Sequence, residues 1–140
     1  MVDFLECMRT GKIVKIGINK DMVDKEMKNA ILDLETAKDS LKQRKFKWTI
    51  IQAYYSMFHC ARALIFQAGL REKSHRCLIE ALREKYVKTG KMKNKLLDLF
   101  IDTMNLREEA DYGYVYSEFG AKEAIKYAEI FLNETKILLK

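Results

Sequence analysis

Residues 48–68, WTIIQAYYSMFHCARALIFQA, are apolar on nearly every side, and that stretch constrains the fold more than any other feature. A helix that is apolar all round belongs at the centre of a bundle. Its charge-free part, residues 48–61, is too short to cross a bilayer, which takes about 20 residues. Gln52, Tyr55, Ser56, His59, Arg62 and Gln67 recur along it at steps of three, four and five. At about 100° per residue they share one broad face. A polar stripe on a core helix needs partners, because an unpaired buried polar group costs about 1–3 kcal/mol. The stripe is therefore the first place to look for function.

Everything around that segment reads as helix. The chain contains no proline, so nothing breaks a helical run. Helical periodicity places Met27, Ala30, Ile31, Leu34, Ala37 and Leu41 on one face of residues 21–43. Gly69 closes the central helix, and Ser74 is a good N-cap for a shorter helix over 74–87. Further helices are expected over 92–111 and 118–139, the latter with the cleanest apolar stripe, from Ala121 to Leu139. Short connections between long helices favour antiparallel neighbours. The expected fold is all-α: an up-and-down bundle of four main helices with one additional short helix, over residues 21–140.

Residues 1–20 form a separate N-terminal arm in this reading. Phe4, Leu5 and Met8 fit a short helix, whereas 12–18 alternates like a strand. A lone strand has no visible partner, so a short helix followed by an arm is expected.

Charge and cysteine narrow the setting. The formal net charge is +6, with basic residues gathered at 42–47, 71–76 and 83–95, while the last third is nearly balanced. That asymmetry points to an anionic partner such as RNA, a nucleotide or an acidic protein, or else to lysines that merely solvate helix faces. Cys7, Cys60 and Cys77 stand at unrelated spacings, which suggests neither a disulfide framework nor a zinc motif. Reduced thiols and a soluble, cytoplasmic protein without a secretory leader are expected. No phosphate-binding loop, dinucleotide fingerprint or paired-histidine metal motif occurs, so neither a metal nor another cofactor is implied.

The strings Ala53-Tyr54-Tyr55-Ser56-Met57-Phe58-His59-Cys60-Ala61-Arg62-Ala63-Leu64 and Arg71-Glu72-Lys73-Ser74-His75-Arg76 are followed by Arg107-Glu108-Glu109-Ala110-Asp111-Tyr112-Gly113 and an alanine-rich last helix. In that order they resemble the HEPN family from residue 21 to the C-terminus. The resemblance implies a small helical bundle, usually a homodimer, often paired with a nucleotidyltransferase as the toxin half of a two-component system. Active members are metal-independent endoribonucleases, while others bind nucleotides or RNA. Ribonuclease members carry an arginine and a histidine separated by four to six residues. Only three residues lie between Arg71 and His75 here, and His59 precedes Arg62.

Two groups of candidate residues follow. His75 sits in the first turn of the short helix beside Arg71, Lys73, Ser74 and Arg76, where free amides and cations favour an anion. Neighbouring cations oppose its protonation, favouring a base over an acid at neutral pH. His59 and Arg62, with Tyr55 and Ser56, are either a satisfied seam, Arg62 pairing with Asp111 or Glu108, or one wall of a cleft. Arg107, Asp111 and Tyr112 would face the same groove. Tyr112, Tyr114 and Tyr116 either pack beneath the bundle or stack bases.

Overall fold

The apolar segment becomes α3 (Phe46–Gln67), and the remaining helices are arranged around it. The computed structural model describes residues 2–140. α2 (Lys20–Lys42) runs alongside α3 and buries Val23, Ala30, Leu34 and Ala37. α5 (Asn94–Tyr112) and α6 (Glu118–Leu138) cover its other sides, and α4 (His75–Leu82) is the additional short helix. Small residues allow these close approaches: Ala30, Ala37, Ala53, Ala61, Ala121 and Ala124 are fully buried. Tyr54 stacks on Phe100 at 5.8 Å between ring centroids, and Phe100 stacks on Phe131 at 5.6 Å. The all-α bundle is as expected.

Element boundaries follow capping chemistry. Asn19 accepts from the amides of Asp21 and Met22, Ser74 from Cys77, and Ser117 from Gly120. α3 begins at Phe46, slightly earlier than the apolar pattern suggests. α4 ends sooner, at Leu82, and continues as a π-helical turn over Arg83–Val87. Within that turn the Tyr86 hydroxyl donates to the Leu64 carbonyl at 2.6 Å, tying it to α3.

The N-terminal arm is where sequence and structure part. The expected short helix is present as α1 (Phe4–Arg9), capped by Asp3. The alternating residues after it, however, do have a strand partner. β1 (Ile13–Lys15) pairs antiparallel with β2 (Leu70–Glu72), with Ile13 opposite Glu72, Val14 opposite Arg71 and Lys15 opposite Leu70. Gly69 makes this possible: at φ +77° it reverses the chain after α3, and its carbonyl accepts from the Ile16 amide at 2.9 Å. A three-residue strand formed immediately after a helix leaves no periodicity to read.

That ladder also overturns the expectation for the cysteines. It brings α1 against α4, and Cys7 forms a disulfide with Cys77, with 5.8 Å between Cα atoms and 70 residues of separation. Cys60 alone is a free thiol, fully buried, and burial pushes its pKa up to about 12. It offers no reactive thiolate. Among the described residues no helix is long and apolar enough to cross a membrane.

Candidate functional site

His75 opens α4, with Ser74 before it as the cap. Its Nδ1 lies 2.6 Å from the hydroxyl of Tyr54, a residue of α3 with no exposed surface. The imidazole also packs on Phe58, with 4.7 Å between ring centroids. Nε2 hydrogen-bonds to nothing among the described residues, yet it is not buried, so it faces solvent. Burial lowers the His75 pKa below its ordinary value, and the positive charge of Arg107 lowers it further. The imidazole is therefore neutral at neutral pH.

Arg107, near the end of α5, also approaches the same tyrosine. Its guanidinium carbon is 5.7 Å from the Tyr54 ring centroid, 5.4 Å from that of Tyr55 and 5.3 Å from that of Tyr112. One Nη donates to the Tyr55 hydroxyl at 3.2 Å and pairs with Asp111 at 3.3 Å. Nε is buried without a partner, whereas the second Nη is unbonded but not buried. Three rings thus hold a planar fork in place, with donor capacity to spare.

His59 and Arg62 belong to a second cluster. His59 Nδ1 is 2.6 Å from Glu26 and its Nε2 is 3.4 Å from Asp33, both on α2. Arg62 reaches Glu26 at 3.5 Å and donates through Nε to Glu72 at 3.1 Å. The expected partners of Arg62, Asp111 and Glu108, are thus replaced by Glu26 and Glu72. The reason is the β1–β2 ladder, which carries Glu72 across the end of α3; Asp111 serves Arg107 instead. Burial raises the Glu72 pKa, and Arg62 opposes that rise. The Phe58 ring packs against both histidines, 5.7 Å from the His59 ring centroid and 4.7 Å from that of His75.

The remaining candidates divide cleanly. Arg71 projects outward from β2 and lines a cleft of about 160 Å³ with Glu26, Arg62 and Phe66. Lys73 and Arg76 are exposed at the mouth of α4, and neither they nor Arg71 form an ion pair among the described residues. Ser56 is not part of either cluster: it is buried and donates to the Ala30 carbonyl at 2.7 Å, joining α2 to α3. Tyr112, Tyr114 and Tyr116 do not pack beneath the bundle but are exposed. Trp48 and Phe119 are exposed with them, and the Lys47 ammonium sits over Trp48 and Tyr114 at 5.3 and 5.7 Å. No group of three or more His, Cys, Asp or Glu side chains among the described residues is arranged to hold a metal ion.

Sequence reasoning missed Tyr54, the residue that joins His75 to Arg107. Nothing in an all-round apolar helix says which of two adjacent tyrosines turns inward. Arg107 and Tyr112, already candidates, carry one further signal. Four residues separate it from Tyr112, a spacing at which ribonuclease members of the resembled family carry arginine and histidine. Tyrosine fills the second position here, its ring against the guanidinium.

Comparison with known proteins shows the family of the chain. The chain matches the model of the HEPN domain over residues 23–138. It is 33% identical to a UPF0332 protein of Archaeoglobus fulgidus, over 83% of this chain and 94% of that protein. Two Methanocaldococcus jannaschii proteins, each named "Putative toxin", are 26% identical over 89% of this chain and 86% of their own, and 29% over 91% and 98%. The chain belongs to the HEPN domain family.

Proposed function

We propose that this HEPN protein is a toxin-like component that engages RNA or a nucleotide through phosphate, at the Arg107–His75 cluster. One observation carries the reading: Arg107 and His75 both approach the same buried residue, Tyr54, and each has a nitrogen that is not buried and has no hydrogen-bond partner among the described residues. A guanidinium fork and a neutral imidazole N–H are both donors suited to phosphate oxygens. The unpaired Arg71, Lys73 and Arg76 add positive potential beside it. The exposed tyrosines, Trp48 and Phe119 offer faces on which unpaired bases could stack.

Fluorescence anisotropy with a single-stranded RNA tests this. Binding should weaken steeply as salt rises, and Arg107→Ala should reduce the salt slope by about one while lowering affinity. His75→Gln, which preserves shape and a donor, should bind more tightly than His75→Ala. Salt-independent binding, or equal binding by wild type and all three variants, would rule the site out.

Metal-independent RNA cleavage is the second reading, and the same histidine favours it because the imidazole is neutral and solvent-facing. Against it stands the Tyr54 proton. The buried hydroxyl has no acceptor other than Nδ1, so it donates there and leaves the proton of the imidazole on Nε2. A base would need the opposite tautomer, stranding a buried hydroxyl at about 1–3 kcal/mol. Binding is therefore preferred to cleavage. Cleavage in the presence of a chelator, lost in His75→Ala but retained in His59→Ala, would reverse that preference.

The family likeness supports a homodimer, a nucleotidyltransferase partner and a cytoplasmic setting. Light scattering on the purified protein and co-purification with a neighbouring nucleotidyltransferase test the first two. An intracellular disulfide is a habit of hyperthermophiles, so the state of Cys7 and Cys77 in intact cells bears on the third.

A further inference from the structure

At the end of α5 opposite Arg107 lies a groove of about 390 Å³ that phosphate chemistry does not explain. Leu96 and Arg107 are eleven residues apart on this helix, about 16 Å of rise. Met92, Leu96 and Leu99 form the groove's floor, with Ile130 and Leu138 of α6 as its far wall. Ile130 is 39% exposed, and Leu99 and Leu138 are half-buried. Lys91, Lys93 and Lys95 stand along the rim, all exposed and all without an ion pair among the described residues. Glu134 is the single acid lining the groove.

The lip that carries two of these lysines is built firmly. The π-helical turn Arg83–Val87 leads into it, and such turns recur at functional positions. Gly90 at φ +78° then reverses the chain. The amides of Lys91 and Met92 both donate to the Tyr86 carbonyl at 2.9 Å, while the Tyr86 hydroxyl anchors to α3. The apolar floor is therefore present before any occupant arrives.

We infer that this groove docks an acidic, amphipathic helix of a partner protein. The argument is complementarity. An apolar trough of this size accepts the anchoring side chains of a helix laid along it. Three unpaired lysines on the rim call for several carboxylates spread along the occupant, which a helix supplies and an acyl chain with one headgroup does not. A second copy of this chain would bring another net charge of +6. The inference stands apart from phosphate binding at Arg107 and survives its failure.

The test uses the full-length protein and a synthetic helix of about 15 residues, long enough to hold helical structure. It carries leucines at helical spacing flanked by glutamates, and a matched peptide carries lysines instead. Methyl NMR should show the acidic peptide perturbing Leu96, Leu99, Ile130 and Leu138, with affinity falling about tenfold between low and high salt. Lys91→Glu, Lys93→Glu and Lys95→Glu together should invert the preference toward the basic peptide. Leu99→Asp should abolish binding of both, with an unchanged circular dichroism spectrum as the folding control. Equal binding of the two peptides, perturbations outside the groove, or decanoate matching the acidic peptide would overturn the inference.

Discussion

The hydroxyl of Tyr54 lies 2.6 Å from Nδ1 of His75, and each group is the other's only side-chain partner among the described residues. One residue is fully buried in α3 and the other opens α4, so the bond sets the tautomer of a solvent-facing imidazole. Nitrogen-15 NMR should report Nδ1 as the unprotonated acceptor and Nε2 as protonated. Tyr54→Phe should release the preference, giving a mixture of tautomers, and cost about 1 kcal/mol of stability. A protonated Nδ1 in the wild type would refute the assignment.

The same histidine predicts a pH dependence. Burial, then Arg107, holds its pKa below 6.5, so the unfolded chain binds this proton more readily than the folded one. Its contribution is fully present above 6.5 and is lost as the pH falls through the lower folded value. Glu72 and Asp33 have raised pKa values and act with the opposite sign, but they are common to wild type and variant. Thermal melts from about pH 7 to about pH 5 should therefore fall less steeply for His75→Gln than for wild type. Parallel curves would show that the imidazole titrates alike in both states.

Arg62 is expected to be structural. It compensates Glu72, whose side chain is 7% exposed, and also reaches Glu26. Arg62→Ala should destabilise the fold by about 3 kcal/mol, because a buried carboxylate is left without its cation. Replacing both members, as Arg62→Met with Glu72→Met, should recover most of that loss. Denaturant titration of the single and double variants checks it, and a double variant as weak as the single one would contradict the account.

The Cys7–Cys77 link closes a long loop, its ends separated by 70 positions in the sequence. Chain-entropy reasoning assigns such a closure about 4 kcal/mol. Cys77→Ser should lower the melting temperature and loosen α1 and β1, seen as faster amide exchange there. Peptide mapping without reductant should recover Cys7 joined to Cys77 and Cys60 alone as the free thiol. Three alkylatable thiols in the unreduced protein would contradict the pairing.

Much of the bundle was legible because it rests on local rules. The apolarity of α3, the caps Ser74 and the stop at Gly69 are properties of short stretches, and helices obey them wherever they are packed. Arg107 and Tyr112 were singled out from the sequence, and the structure sets the guanidinium 5.3 Å from the Tyr112 ring centroid. Ser56 was misleading for a physical reason. A buried hydroxyl satisfied by Ala30 on a neighbouring helix has the same sequence signature as one that faces a cleft.

The amino-acid sequence by itself determined an all-α bundle around one apolar helix, because hydrophobic periodicity and capping act over a few residues. Only the tertiary structure decided the pairing of β1 with β2, the joining of Cys7 to Cys77, the pairing of Arg62 with Glu26 and Glu72, and the meeting of Tyr54 with His75 and Arg107. Each of these depends on which distant side chains arrive at the same place. That is settled by packing all the helices at once, and no local pattern encodes it.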